Sequence, residues 1–335
     1  MNSQILLAFA LLLVSAVGVY LACEYFVNGV EWVGRKAGIA QSAVGTVLAA
    51  FGTALPESVV TFVAVVFGRT ADQREIGVGA ALGGPLALAT IAYPVVGLML
   101  LLTHQGTARA AIAAERSTLT RDQGLFLAIF VCKIALGFMV FSWKPWLAIF
   151  FLAAYAFYVW SSMRAGVTHS EEDSEPLKLQ PGKESPSLAL ASLQTLIALV
   201  VIFIGSRVFV TQLTVVGPWL GLPPSVVALL LSPVATELPE TMNAIIWIRQ
   251  GKLRLALGNI SGAMMIQATV PTALGLMFTP WLFDHALAWS AAVTAAAVLG
   301  LWLLLWRNAL TSSRLASFFG FYVLFAAGVY YITSR

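Results

Sequence analysis

Residues 52–58 read GTALPES, and residues 235–241 read ATELPET. Both stretches sit inside long apolar runs, and in each a glutamate directly follows a proline: Pro56-Glu57 and Pro239-Glu240. Proline has no N–H, and its ring collides with the carbonyl one helical turn back. Pro56 therefore frees carbonyls around Gly52 and Thr53, and Pro239 frees those around Ala235 and Thr236. At membrane depth a freed carbonyl needs another partner, and a carboxylate there is costly enough to mark a functional site. A lone proline is often only a kink, and a lone glutamate can be a protonated packing residue. The same pair twice, in register, favours the functional reading.

The register extends well beyond the two stretches. A shift of 183 places Ser42 on Ser225, Val44 on Val227, Thr53 on Thr236, Leu55 on Leu238, and Phe26-Val27 on Phe209-Val210. After a four-residue indel the shift becomes 179. Gly79 then falls on Gly258, Gly83 on Gly262, and Ala89-Thr90 on Ala268-Thr269.

The chain has 335 residues, 59% hydrophobic and 10% charged. A soluble domain carries about 25% charged residues, so this chain cannot solvate a globular surface. Apolar runs near the ~20 residues that span a bilayer recur along it. The reading is an all-α polytopic membrane protein with ten spans, near 4–34, 41–67, 74–103, 123–142, 146–164, 187–213, 224–249, 253–279, 284–306 and 314–332. The first run reads as a membrane helix, not a cleaved signal. Residues 166–186, with five acidic residues and three prolines, read as a flexible linker. Residues 1–165 form a first five-helix repeat and 187–335 a second. Five spans per repeat is odd, so the second repeat enters inverted, with the helix breaks at the midplane. Such breaks in matching places point to a transporter site.

Lys and Arg collect on cytoplasmic loops. Alternate loops, starting after the first span, hold 13 of these bases and the opposite side 4, Arg69, Arg74, Lys144 and Arg335. Both termini are therefore expected outside and the linker in the cytoplasm, in a bacterial inner membrane. The remaining two bases, Lys133 and Arg207, fall inside spans; Lys133 either snorkels or pairs with a site carboxylate, and snorkelling is the favoured reading. Glu24 and Arg207 each lie 33 residues before a signature glutamate. They could pair across the pseudo-twofold axis, or each could snorkel. Cys23 and Cys132 read as small buried hydrophobes. No basic patch points to nucleic acid.

Glu57 and Glu240, with freed carbonyls, make a hard all-oxygen site, which suits calcium with its 6–8 oxygen ligands. Glu237 adds a third carboxylate, either a proton carrier or a structural hydrogen-bonding group. Gly79-x-x-x-Gly83 and Gly258-x-x-x-Gly262 read as close helix packing.

FGTALPES and VATELPET, followed by GAALGG and GNISGA, resemble the doubled signatures of the sodium/calcium exchanger membrane family, within the cation/calcium antiporter superfamily. The resemblance spans nearly the whole chain. It implies a ten-helix fold, alternating access, and calcium held between Glu57 and Glu240, with backbone carbonyls at Thr53 and Thr236. The chain departs from the family where sodium ligands are expected. Ala54 and Glu237 replace a serine before each signature. The following helices offer Ala80, Gly84 and Leu88 in the first repeat, and Asn259, Ala263 and Gln267 in the second. The expected site is thus Glu57, Glu240, Thr53, Thr236, Glu237, Gln267 and Asn259. Calcium is cargo, sodium or protons the coupling ion, and no cofactor is expected. The partners are inorganic cations and the lipid bilayer. The alternatives are an intramembrane enzyme acting on a lipid-linked substrate, which would need a nucleophile or metal constellation and against which the symmetric Pro-Glu repeat and the absence of His-rich clusters argue, and a family member that binds cations without exchange.

Overall fold

The structure, a computed structural model, describes residues 3–36, 41–103, 116–164, 176–182, 186–249, 251 and 253–334; within helices, the side chains of 27, 31, 35, 41–53, 162–164, 234, 235, 239, 254 and 255 are outside the description. The described secondary structure is helical throughout. In chain order it runs α1 Ser3–Lys36, α2 Gln41–Val66, α3 Ala71–Ala87, a π turn Leu88–Ala92 and α4 Tyr93–Leu102. Next come α5 Arg116–Leu136, a 3-10 turn Lys144–Leu147, α6 Ala148–Arg164, α7 Leu188–Leu220, α8 Pro224–Thr236 and α9 Leu238–Arg249. The chain continues with α10 Leu253–Phe278, α11 His285–Trp306, α12 Ser312–Ser317 and α13 Phe319–Thr333. Among the described residues, six stretches are long and apolar enough to cross a membrane: Ser3–Gly34, Ala71–Leu102, Leu188–Leu220, Ala256–Phe278, His285–Trp306 and Ser312–Thr333. The protein is an integral membrane protein.

The two signature stretches fold differently. Helix α2 runs through Pro56 without a break, contrary to the expected interruption there. The second signature does break, at Glu237, whose φ −101° and ψ −3° separate α8 from α9. The reason is local. Pro233 and Pro239 flank this position within seven residues, whereas α2 carries Pro56 alone.

Packing is crosswise. Helix α1 lies against α7, α3 against α8, and α10 against α2. The glycines of α3 permit this approach. A Cβ on Gly79 would collide with the main-chain oxygen of Ser225, and one on Gly83 would lie 2.8 Å from Pro233 Cγ. The packing reading of the first glycine pair holds. Gly258 meets nothing within 4 Å, so that reading does not extend to it. Helices α1 and α7 carry exposed leucines, isoleucines and valines outward, among them Leu7, Leu13, Val14, Leu196, Ile197 and Val200. The run Ile76–Ala87 of α3 is buried. Lipid-facing helices thus enclose glycine-rich central ones. Polar stitches tie the interior: Gln123 Nε2 donates to Tyr93 Oη at 2.7 Å, and Tyr93 Oη lies 2.7 Å from Ser261 Oγ, joining α5, α4 and α10.

Part of the expected linker is docked rather than free. Leu177 is fully buried beside Trp32 and Ala191. The Lys178 amide donates to Asn28 Oδ1 at 2.9 Å, the Leu179 amide donates to Gln194 Oε1 at 2.9 Å, and Gln194 Nε2 donates to the Tyr25 carbonyl at 2.8 Å. Lys178 Nζ also pairs with Glu24 at 2.9 Å. Glu24 therefore pairs with the linker and not with Arg207. The Arg207 guanidinium lies over Phe67 and Phe203, 5.8 and 5.6 Å from the ring centres. Cys23 is buried as expected, but Cys132 is exposed on α5.

Candidate cation site

The α8–α9 break places its polar side chains against Glu57 on α2. Thr236, the last residue of α8, directs its hydroxyl at Glu57 Oε2, 2.6 Å away, and at Glu237 Oε1, 2.9 Å away. The same hydroxyl lies 3.1 Å from the Ser232 carbonyl. Ser232 Oγ, one turn earlier, stands 3.4 Å from Glu57 Oε2. From α10, Gln267 Nε2 donates to Glu237 Oε2 at 2.8 Å. The Gln267 amide can lie there because Gly84 faces it; a Cβ on Gly84 would come within 2.8 Å of Gln267 Oε1.

Glu57, Glu240 and Gln267 are wholly buried, and Thr236 and Glu237 nearly so. Glu57 Oε1, both carboxyl oxygens of Glu240 and Gln267 Oε1 are buried and have no hydrogen-bond partner among the described residues. Buried polar atoms are ordinarily hydrogen-bonded, and each exception calls for a reason. The three carboxyl oxygens can take a proton or a cation, and the Gln267 amide oxygen can accept a hydrogen bond or ligate a cation. The three carboxyls lie within Coulombic reach of one another. Among the described residues, no ion pair reaches any of them.

Thr236 has one hydroxyl proton to share among Glu57, Glu237 and the Ser232 carbonyl. A proton on either carboxyl, donated to Thr236 Oγ, would relieve that shortage.

Of the expected residues, Glu57, Thr236, Glu237 and Gln267 form one hydrogen-bonded group, with Thr236 engaged through its hydroxyl where its main-chain carbonyl was expected. Glu240 follows at the start of α9, buried. Asn259 is half-buried on α10, eight residues before Gln267, or ~12 Å along the helix axis. The Thr53 side chain lies outside the described residues. Among those residues, no three His, Cys, Asp or Glu side chains stand close enough to hold a metal ion by themselves. A site here needs hydroxyl, amide or main-chain oxygens as well. Ser232 was not expected. Its signal was present in the i, i+4 spacing to Thr236, which puts both hydroxyls on one face of α8.

Lys133 overturns its expected snorkelling. It is fully buried, and Nζ donates to the carbonyls of Ala81 at 2.7 Å and Gln267 at 3.3 Å. The rings of Phe130 and Trp281 lie 5.4 and 5.8 Å from Nζ.

A membrane bundle with buried carboxyls on a broken helix defines an ion-handling protein, and comparison with known proteins agrees. The sodium/calcium exchanger protein family matches residues 7–164 and 190–334, and the chain belongs to that family. The inner membrane protein YrbG of Escherichia coli (strain K12) is 25% identical over 284 residues, 83% of this chain and 82% of YrbG. Among solved structures, the H+/Ca2+ exchanger CAX superposes with TM-score 0.73 at 18% identity, covering 98% of this chain and 85% of that one. The sodium-calcium exchanger NCX_Mj gives TM-score 0.57 at 19% identity, covering 96% and 99%. At these identities the structures share the fold. Family and structural neighbours are transporters, not enzymes.

Proposed function

We propose that the protein is a secondary antiporter that exchanges calcium for protons by alternating access. One observation carries this reading. Glu57 and Glu237 meet at the single hydroxyl of Thr236, and the acceptors Glu57 Oε1 and both Glu240 oxygens stand unpartnered nearby. A proton satisfies the Thr236 contacts when no divalent ion is bound. A calcium ion displaces it by giving the carboxylates a common counter-charge, with further oxygens from Thr236, Gln267 and the carbonyl of Thr53. Cation binding and proton release are then one event. Sodium in place of protons is the second reading, and the family name favours it.

The repeat units 1–165 and 187–335, joined by 166–186, would rock as inverted bundles of five spans each. The register of the two signatures and the crosswise packing of α3 on α8 and α10 on α2 support that reading. The test is calcium uptake into proteoliposomes, driven separately by a proton gradient and a sodium gradient. Uptake with the proton gradient alone is the expected result. No uptake with either would rule out the exchanger reading.

Two further outcomes follow. Glu237→Gln keeps an amide where the carboxyl accepts from Gln267 but cannot bind a proton. Calcium binding by calorimetry should persist, while the pH dependence of flux flattens. An unchanged pH profile would return Glu237 to a purely structural role. The distribution of basic residues supports a cytoplasmic linker with both termini outside, and a bacterial inner membrane is the proposed location. A cysteine introduced at Gly182 should react with a membrane-impermeant maleimide only after the cells are opened. Labelling of intact cells would reverse the topology.

A further inference from the structure

Two main-chain carbonyls inside the bundle lose their helical donors to proline. In an α-helix the carbonyl of residue i accepts from the N–H of i+4. Residue 85 is a proline, so Ala81 has no helical donor, and residue 271 is a proline, so neither does Gln267. These are the two oxygens that Lys133 Nζ takes, at 2.7 and 3.3 Å. The two carbonyls come from different helices, α3 and α10, and converge on one point. Aromatic faces of Phe130 and Trp281 flank that point. Converging carbonyl oxygens beside an aromatic wall form a seat for a monovalent cation. The seat adjoins the carboxyl site, because Gln267 serves both: its carbonyl accepts from Lys133 and its side-chain amide donates to Glu237. Lys133 also lies within Coulombic reach of Glu57.

We propose that the Lys133 ammonium is a built-in cation, tethered by α5 in a two-carbonyl seat made by Pro85 and Pro271, which takes the place of an alkali-metal ion and so makes exchange independent of sodium. This rests on the exchanger reading of the neighbouring carboxyl site. A tethered ammonium supplies positive charge beside Glu57 but cannot leave with the cargo. Removing that charge while retaining hydrogen-bond donors should vacate the seat for a free monovalent ion.

The experiment compares the wild-type protein with Lys133→Gln and Lys133→Arg. Calcium flux in proteoliposomes and thermal stability in detergent are each measured in sodium chloride and in choline chloride. Lys133→Gln should gain a sodium response: flux changing about fivefold or more with sodium, the scale of ordinary coupling between sites, and a sodium-dependent rise in Tm from binding to the folded state alone. Wild-type protein and Lys133→Arg should show neither. A Lys133→Gln protein that carries calcium with no sodium response overturns the inference and leaves the exchanger reading intact. Absence of calcium flux in the wild-type protein defeats the exchanger reading first. If Lys133→Gln fails to accumulate in choline, recovery in sodium supports the seat. Failure in both salts, or recovery by adding Pro271→Ala, which returns an N–H to Gln267, assigns Lys133 a purely structural role and counts against the inference.

Discussion

Glu57→Gln and Glu240→Gln should each cut calcium binding by about a hundredfold or more, above the 10–100-fold cost typical of disturbing groups merely supporting a metal. Calcium uptake should fall below detection. The amide keeps the shape of the side chain and removes one unit of charge, so it is a poor ligand for a hard ion. The folded protein should survive. All three carboxyls are buried without an ion pair among the described residues, and desolvated like charges oppose folding. Neutralising one should leave the thermal midpoint of the calcium-free protein unchanged or higher, while the upward shift on adding calcium disappears. Calorimetric binding and calcium-dependent Tm on both variants make the check. Full transport by both would remove the carboxyl pair from the mechanism.

Gly79→Leu should have the opposite profile, with loss of the folded protein itself. The residue faces the main-chain oxygen of Ser225 on α8, and even a Cβ would collide with it. Backbone cannot swing aside as a side-chain tip can, so α3 and α8 would have to separate. Overpacking in a well-packed interior costs about 1–3 kcal/mol, and more where backbone is involved. Separation of α3 from α8 would also shift the helix that carries Ser232 and Thr236. Fluorescence size-exclusion profiles should show an aggregated or absent peak, whereas Gly258→Ala, which meets open space, should elute as wild type. A monodisperse Gly79→Leu protein would mean that this helix contact is not what holds the bundle together.

Much of the architecture was legible because membranes make sequence literal. Apolar runs had to be helices, and a Pro-Glu pair inside such a run had to be satisfied by something. Glu57, Thr236, Glu237 and Glu240 were therefore recognisable as candidates from the residues, while Gln267 and Asn259 entered only through the resemblance to the exchanger family. The misses share one physical cause: they depend on which helix lies next to which. The orphaned carbonyls of Ala81 and Gln267 were implied by Pro85 and Pro271, but no local pattern says that a lysine from α5 reaches both. Glu24 and Arg207 sat at equivalent repeat positions, yet Lys178 in the linker reached Glu24 first, and Phe67 and Phe203 received the arginine. Residues 166–186 had the composition of a loose tether, and composition could not show that Leu177 would be buried. Continuity through Pro56 against the break at Glu237 is the exception: it turned on a local feature, the second proline Pro233.

The docked segment 176–182 bears on how the molecule is assembled. Its amides and side chains bond to Asn28 and Glu24 on α1 and to Gln194 on α7. Gln194 also donates to both the Tyr25 carbonyl and Asn28 Oδ1, knitting α1 to α7 beneath it. The bonds from Lys178 to α1 can close as soon as the segment emerges, but those made by Gln194 must wait until α7 has left the ribosome, so the clasp is completed in two stages. The segment is continuous with α7 in the chain, so a second half that begins just before Pro176 would bring the clasp with it. The segment is in this sense a latch whose last bolt, Gln194, arrives only with α7.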